Sequence, residues 1–539
     1  MVPWIHLPTE TSPPEESQDV NKAAEPPKSR FLSNLIWSGV GVAVNLFSGF
    51  ILSPYIIRKL GLEGYGLWAL VFSVTGYFNL VDLGFRSAVI RYSAYYRARG
   101  EFDKLNALIN TTFTYFSSVS VALIVLTLFA APSAGRWFNV SPEYAAIFPK
   151  IALLIGITLA TGVAFNAFSG CVEGFQRFDI SNGIWVAAFL IRHPGCALLL
   201  WLGYGLPEMS MVVLGTQIAL CLGYAVACKR IFPQLRFGLR YFDLGMLKRT
   251  ASFGIHTFIM SLSTMSLDLT PSLLIGRLQS VEQLGFYNLP LRLLQYAADG
   301  VSRIGLIVAP RAAELAATDQ KHTIARLAVL ANRYSLVLYL PLSIFLLNFG
   351  PELLRVWLRE RGPEVAAHSA PLLPILLAGS TLALAAQFSS STVLVGLGRH
   401  KAYSWSVACE AVASVVLMYF LLPPYGIFGA AIIASSLMLG VRGLLTPWLV
   451  SKVLEISLLS YLSDIYTRAL LAAAPVWLLA FWLRKSVLDG HNWSQLFLAA
   501  GIIGILYYTL AFFFCLADEH QDKLTGMAKH YLGAAGGRA

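Results

Sequence analysis

The sequence is poor in charged residues. Only 13% of its 539 residues are Asp, Glu, Lys or Arg, whereas 56% are apolar and the mean hydropathy is +0.64. A soluble chain of this length would form several domains with charged surfaces, so the composition indicates an integral membrane protein. The net charge of +11 is attributed to cytoplasmic loops rather than to nucleic-acid binding, because no extended basic run or nucleic-acid motif is present.

The sequence also lacks the motifs of most enzymes. It contains no Walker A, HExxH, CxxC or GxSxG pattern and no Gly-rich nucleotide fold. Its 6 cysteines lie in or beside apolar segments, and its 9 histidines are scattered. We therefore expect neither a metal nor a cofactor, and a transporter rather than an enzyme. The energy would come from an ion gradient, the membrane potential or the substrate gradient.

What the sequence has in abundance is long apolar runs. A membrane helix needs about 20 mainly apolar residues, and about fourteen such segments occupy nearly the whole chain. We expect an all-α polytopic protein with two six-helix bundles and two additional C-terminal helices. The predicted divisions are a disordered cytoplasmic tail at 1–30, bundles at 31–229 and 247–450 separated by a cytoplasmic linker at 230–246, the extra helices at 451–516, and a cytoplasmic tail at 517–539.

The two bundles are predicted to be copies of one another. Pro54 and Pro271 lie 217 positions apart, and Tyr65-Gly66 and Leu284-Gly285 lie 219 apart. Six spans separate the copies, so they have the same orientation, and transporters with such parallel repeats bind their substrate between the halves. Pro54 and Pro271 are hinge candidates because proline removes a helical hydrogen bond.

The distribution of positive charge predicts the orientation. Most of the 40 Lys and Arg residues fall on alternate connections that share a side with the N-terminus. The positive-inside rule then places both termini in the cytoplasm.

Charges within the spans are the candidate functional residues. Asp82 and Arg86 in span 2, and Asp299 and Arg303 in span 8, are i,i+4 pairs that lie 217 positions apart. They are interpreted either as internal salt bridges and snorkelling arginines or as a cytoplasmic gate of a central cavity.

Four deeper charges are candidates for substrate binding. Arg192 and Arg292 lie near the predicted bilayer midplane, Arg333 lies in span 9 and Asp268 precedes Pro271. Arginines predominate, which favours an anion such as phosphate. The competing interpretation is a set of buried Arg–acid pairs between helices.

Several of these residues belong to a recognisable pattern. LGLEGYGLW at 60–68, DLGFR at 82–86 and Arg91-Tyr92 resemble the polysaccharide and O-antigen flippases of the multidrug/oligosaccharidyl-lipid/polysaccharide superfamily. The resemblance implies two bundles around a cavity that opens alternately to each side of a bacterial inner membrane. It implies an undecaprenyl-diphosphate-linked oligosaccharide as substrate, with membrane lipid, a polysaccharide polymerase and other export proteins as partners.

Two alternatives remain open at this point. A multidrug or cation antiporter of the same fold would be expected to have an acidic cavity. A polysaccharide polymerase or ligase would need catalytic groups on an outside loop, where only Arg355, Arg359, Arg361 and His368 are available.

Overall fold

The computed structural model describes residues 28–78, 85–317, 320–399, 401–487, 490–517 and 519–522. It describes only the backbone at 28–49, 87, 249, 251–258, 297, 299–300, 302–307, 309–310, 313 and 317. Asp82 is outside the described residues, as are the side chains of Asp299 and Arg303.

The described chain is helical and contains no strand. Apolar helices satisfy all their backbone hydrogen bonds internally, which a lipid environment requires. The helices are α1 Lys28–Gly76, α2 Phe85–Ala98, α3 Phe102–Trp137, α4 Pro142–Ala145, α5 Phe148–Ala164, α6 Asn166–Gly174, α7 Phe178–Trp201, α8 Leu206–Ile231, α9 Leu244–Leu278, α10 Val281–Ala317, α11 Lys321–Leu358, α12 Gly362–Ser369, α13 Leu372–Gly379, α14 Ala386–Gly396, α15 Lys401–Met438, α16 Thr446–Leu454, α17 Leu458–Ser486 and α18 Trp493–Phe514.

Two of these helices each provide two passes. At 49 residues, α1 would extend about 70 Å if straight, more than twice the roughly 30 Å of hydrocarbon. It is kinked at Gly61, and α15 is kinked at Gly426; both glycines have positive φ (73° and 55°). Among the described residues, 9 helical segments are long and apolar enough to span, or 10 when α5 and α6 form one bent span. The described helices thus form an all-α polytopic fold, as predicted.

The helices of each half pack mainly against one another. Helix α5 contacts α3 and α8 in the first half, and α9 packs along α15 in the second. Helices α17 and α18 lie against α11. The main contact between the halves is made by α1 and α10.

That contact is reciprocal in the two repeats. A methyl group on Gly66 of α1 would overlap the carbonyl oxygen of Val281, and one on Gly285 of α10 would lie 2.8 Å from the carbonyl oxygen of Leu62. Leu62 and Val281 are 219 positions apart, as are the two glycines. Equivalent residues that contact each other reciprocally are typical of a two-fold axis. The duplicated glycines therefore allow the halves to meet backbone to backbone.

Other hydrogen bonds join the halves near the same junction. The side chain of Asn139, after α3, donates to the carbonyl oxygens of Arg277 (3.2 Å) in the last turn of α9 and of Gln279 (2.8 Å) just after it. The indole of Trp357 at the end of α11 donates to the Phe50 carbonyl oxygen of α1 at 2.7 Å. The junction at the α1 kink is thus stabilised by close packing of the two backbones and by hydrogen bonds from side chains.

Candidate substrate-binding cavity

A cavity of about 590 Å³ lies between the two halves. Its volume is within the range of small-molecule sites. Polar and charged groups come mainly from the second half and aromatic groups mainly from the first. The main lining residues are Ser53, Tyr65, Trp68 and Phe72 of α1, His193 of α7, Thr264 and Asp268 of α9, Arg292, Gln295 and Tyr296 of α10, Phe388 of α14, and Arg442.

Arg292 is the accessible cation of this cavity. It is exposed, and its guanidinium donates to the Gln295 side-chain oxygen at 3.3 Å and lies beside the buried Tyr65 hydroxyl of α1. Among the described residues it forms no ion pair. A guanidinium whose hydrogen-bond partners are neutral side chains keeps several donors for an anionic ligand.

A second charged group lies deeper in the second half. Arg442 donates to Glu410 of α15 at 3.3 Å, and these side chains are 17% and 2% exposed. Asp268 also interacts electrostatically with Arg442 and is exposed to the cavity. The cluster therefore contains two carboxyl groups and one guanidinium. A side chamber of about 140 Å³ contains Asp268, Glu410 and Arg442 and shares several residues with the main cavity.

Two irregular helical segments position this cluster. Ser380–Ala385, between α13 and α14, and Leu439–Leu445, between α15 and α16, are π-helical. They pack against each other, and the second carries Arg442. A π-helical turn adds a residue to the helix and re-aims its side chains, and it occurs often at functional sites.

The four predicted binding residues separate into two groups. Asp268 and Arg292 line the cavity, as described above. Arg192 of α7 donates instead to Thr216 (3.0 Å) and Gln217 (3.2 Å) of α8. Arg333 of α11 is 7% exposed and donates to the Asp464 carbonyl oxygen of α17 at 2.8 Å. Neither is among the residues that line the described cavity, because each is held by a neighbouring helix.

The predicted gate pairs fall largely outside the described residues. Asp82 is not described, nor are the side chains of Asp299 and Arg303, so both i,i+4 pairs stay predictions. Arg86 of α2 forms an ion pair with Glu173 of α6 at 2.6 Å and donates to Ser169 at 3.3 Å. Pro54 and Pro271 lie within α1 and α9, and Pro271 lines the side chamber.

Sequence reasoning missed Arg442, Gln295 and the Arg86–Glu173 pair. Arg442 lies inside a predicted span, so the rule that intramembrane charges are functional candidates would have selected it. Gln295 and Glu173 carried no comparable signal, because their roles depend on which helices pack together.

A comparison with protein-family models matches residues 31–315 to the family described as "Polysaccharide biosynthesis protein". That match covers more than half of the chain. The chain belongs to this family. The predicted resemblance is thereby confirmed, and the matched segment includes α1, α2 and the cavity residues of α9 and α10.

Two relatives of this family member cover most of it. A "Putative O-antigen transporter" of Shigella flexneri is 20% identical over 426 residues, which are 79% of this chain and 99% of the relative. The "Uncharacterized membrane protein EpsK" of Bacillus subtilis (strain 168) is 22% identical over 516 residues, covering 93% and 98%.

Solved structures show the same fold. The lipid II flippase MurJ, in an inward closed conformation, aligns with a TM-score of 0.68 and 13% identity, covering 90% of this chain and 98% of MurJ. A multidrug resistance MATE transporter of the MOP superfamily, in an inward-facing conformation, aligns with a TM-score of 0.62 and 14% identity, covering 77% and 96%. Family and fold place the chain among multi-pass membrane transporters rather than enzymes, as predicted.

Proposed function

We propose that this protein moves a polyprenyl-diphosphate-linked oligosaccharide from the cytoplasmic to the periplasmic leaflet of a bacterial inner membrane, for the synthesis of surface polysaccharide. The observation that carries the proposal is Arg292, an accessible guanidinium without an ion pair among the described residues, in a cavity between two halves. A diphosphate is an anion that such a guanidinium binds through paired hydrogen bonds.

The cavity walls suit the rest of this substrate. Tyr65, Trp68 and Phe72 provide aromatic surface from the first half, and Gln295 and Thr264 provide polar groups from the second. Aromatic side chains with a polar edge pack against sugar rings and prenyl carbons while keeping their own hydrogen bonds. The names of the relatives, an O-antigen transporter and a lipid II flippase, agree with this class of substrate.

The proposed transport movement is a motion of the two repeated halves relative to each other. The two halves, 31–229 and 247–450, would rock about the axis between Gly66 and Gly285, with Pro54 and Pro271 as hinges. Both termini would be cytoplasmic, and the junction at the α1 kink would face the periplasm. A polysaccharide polymerase would use the delivered substrate.

The test is mass spectrometry of inner-membrane lipids from a strain lacking this gene, with staining of surface polysaccharide. We expect complete polyprenyl-diphosphate glycan units to accumulate on the cytoplasmic side while the surface polymer disappears. Unchanged lipids and polymer, in a strain shown to contain no second flippase, would contradict the proposal.

A cation or drug antiporter of the same fold is the second candidate. The observation that favours it is the presence of two carboxyl groups, Asp268 and Glu410, beside the one guanidinium of Arg442. The reconstituted antiporter would be distinguished by efflux of cationic dyes. That efflux would be lost in the Asp268→Asn variant and retained in the Arg292→Ala variant.

A further inference from the structure

A second pocket lies away from the central cavity, between the end of α11 and the start of α18. Its volume is about 390 Å³, and it is lined by Glu352, Arg355, Arg359, His491, Asn492 and Trp493 together with Val356 and Gly490. Glu352, Arg355, Val356 and Arg359 follow i, i+3, i+4, i+7 spacing, which places them on one face of the last helical turns.

Two arginines give the pocket its positive charge. Arg355 and Arg359 are exposed, and among the described residues neither side chain forms an ion pair or hydrogen bond. Arg359 has φ +51° and ψ −114°, a conformation that a residue with a side chain rarely adopts. Strain of this kind persists where the surrounding structure fixes it, and it is found disproportionately at binding sites.

Glu352 lies in the pocket wall with one carboxylate oxygen left unsatisfied. One carboxylate oxygen accepts from Arg484 of α17 at 2.9 Å, whereas the other is buried without a hydrogen-bond partner. A buried, unsatisfied carboxylate oxygen is costly and calls for a donor from a ligand or water. Gly490, with φ +67°, allows the loop to pass against Glu352, because a methyl group there would lie 2.7 Å from the Glu352 Cβ.

These features together define the ligand. The arginines require an anion, and Glu352 requires a hydrogen-bond donor. A phosphate diester offers no donor of its own and so satisfies only the first requirement. Trp493, half-buried beside Asn492, offers a flat apolar surface for the C–H face of a sugar ring. A sugar that carries both hydroxyl groups and a carboxylate satisfies all three requirements.

We propose that this pocket binds an acidic sugar unit of the transported glycan. The identity of the glycan rests on the proposed function, but the pocket's binding chemistry does not. The pocket also adjoins the junction between the halves. Trp493 packs edge-on against Phe50 of α1, with ring centroids 6.1 Å apart, and Phe50 stacks on Trp357 at 4.8 Å. A sugar bound against Trp493 is therefore separated by one side chain from the surface where the two halves meet.

The test is isothermal titration calorimetry on the full-length protein in nanodiscs of phosphatidylcholine. The probes are a glucuronic-acid-containing disaccharide, the same disaccharide with its carboxylate reduced to a hydroxymethyl group, and dimethyl phosphate, a phosphate diester without a donor. We expect saturable binding of the acidic disaccharide, at least about tenfold weaker binding of the reduced form, and weaker binding of dimethyl phosphate. Arg355→Gln/Arg359→Gln should weaken the acidic probe by at least about tenfold and leave the reduced probe nearly unchanged.

Arg361→Gln is the matched control. This residue lies on the same connection but is paired with Glu364 at 3.2 Å and does not line the pocket, so the variant should bind like the wild type. Equal binding of the acidic and reduced probes, preference for dimethyl phosphate, or no effect of the double substitution would overturn the proposal. Because no probe carries a lipid, the proposed function can fail while this binding succeeds, and the reverse is also true.

Discussion

The two halves of this protein are copies of one repeat, but they contribute different kinds of residue to the cavity wall. The first half contributes Tyr65, Trp68 and Phe72 to the wall, with His193 as its titratable group. The second half contributes Asp268, Arg292 and Arg442, with Glu410 behind them. Where the halves meet, by contrast, Gly66 and Gly285 remain equivalent. Symmetry has been kept where the backbones pack and lost where a ligand would bind.

The largest effect should come from removing the accessible cation. Arg292→Ala should reduce transport by about 100-fold or more, since a charge-assisted contact to a diphosphate is lost, and Arg292→Lys should retain part of it. The measurement is export of surface polysaccharide in a deletion strain, normalised to the amount of protein in the membrane.

Arg333→Gln is the control for this prediction. Arg333 is also an intramembrane arginine, but it donates to a backbone carbonyl oxygen of α17. We expect the Arg333→Gln variant to transport at nearly the wild-type rate per folded molecule. Equal loss in both variants would mean that the division between cavity and scaffold arginines is wrong.

Removing the cation from the cluster of Asp268, Glu410 and Arg442 should lower the stability of the protein. Arg442→Met leaves Glu410, which is 2% exposed, and Asp268 without their shared cation. Breaking a buried pair in this way costs about 3 kcal/mol. We expect a clear fall in the unfolding temperature of the detergent-solubilised protein, recovered largely in Arg442→Met/Glu410→Gln/Asp268→Asn. A single variant as stable as wild type would show that the cluster is not coupled.

Alanine substitutions should change the unfolding temperature by a smaller amount, with opposite signs inside and outside the symmetric junction. Gly66→Ala places a methyl group against the Val281 carbonyl oxygen, so the unfolding temperature should fall. Gly183→Ala in α7 has open space around the new methyl group and should raise it slightly, because alanine favours the helix by about 0.5–1 kcal/mol. Gly285→Ala should behave like Gly66→Ala. Stabilisation by either junction variant would argue against close packing of the repeats.

The smallest effect is expected at an exposed ion pair outside the spans. Lys321 donates to Glu455 at 2.6 Å, and this hydrogen bond lowers the pKa of the Glu455 carboxyl group. A lowered carboxyl pKa contributes stability above the pKa of the unfolded state and loses it as the pH falls through the folded value. Because both side chains are solvated, Glu455→Gln should leave the unfolding temperature at pH 7 within error. A large fall would show that the α16–α17 connection anchors the extra helices.

The sequence predicted the fold well because membrane helices are specified by composition over long segments. The apolar runs, the repeat offset between Gly66 and Gly285 and the family pattern at 60–68 all follow from local residues. In the candidate site, the same reasoning selected Asp268 and Arg292 as charges within spans, and both line the described cavity.

Sequence could not say which way an intramembrane arginine points. Arg192 and Arg292 are alike by predicted depth, and Arg333 is a third arginine within a span, yet of these three Arg292 alone lines the described cavity. The difference depends on partners from distant segments, namely Thr216 and Gln217 for Arg192 and the Asp464 carbonyl oxygen for Arg333. Partners of this kind become visible only when the helices are packed.

The central claim is that Arg292 receives the diphosphate of a lipid-linked glycan between the two halves. Its most direct test is reconstitution of wild-type and Arg292→Ala protein into proteoliposomes containing a fluorescent polyprenyl-diphosphate oligosaccharide, with leaflet exchange followed by a membrane-impermeant quencher. The account predicts protein-dependent exchange by the wild type, inhibition by inorganic diphosphate, and loss of exchange in the variant. Wild-type exchange rates in Arg292→Ala, or exchange insensitive to diphosphate, would contradict it.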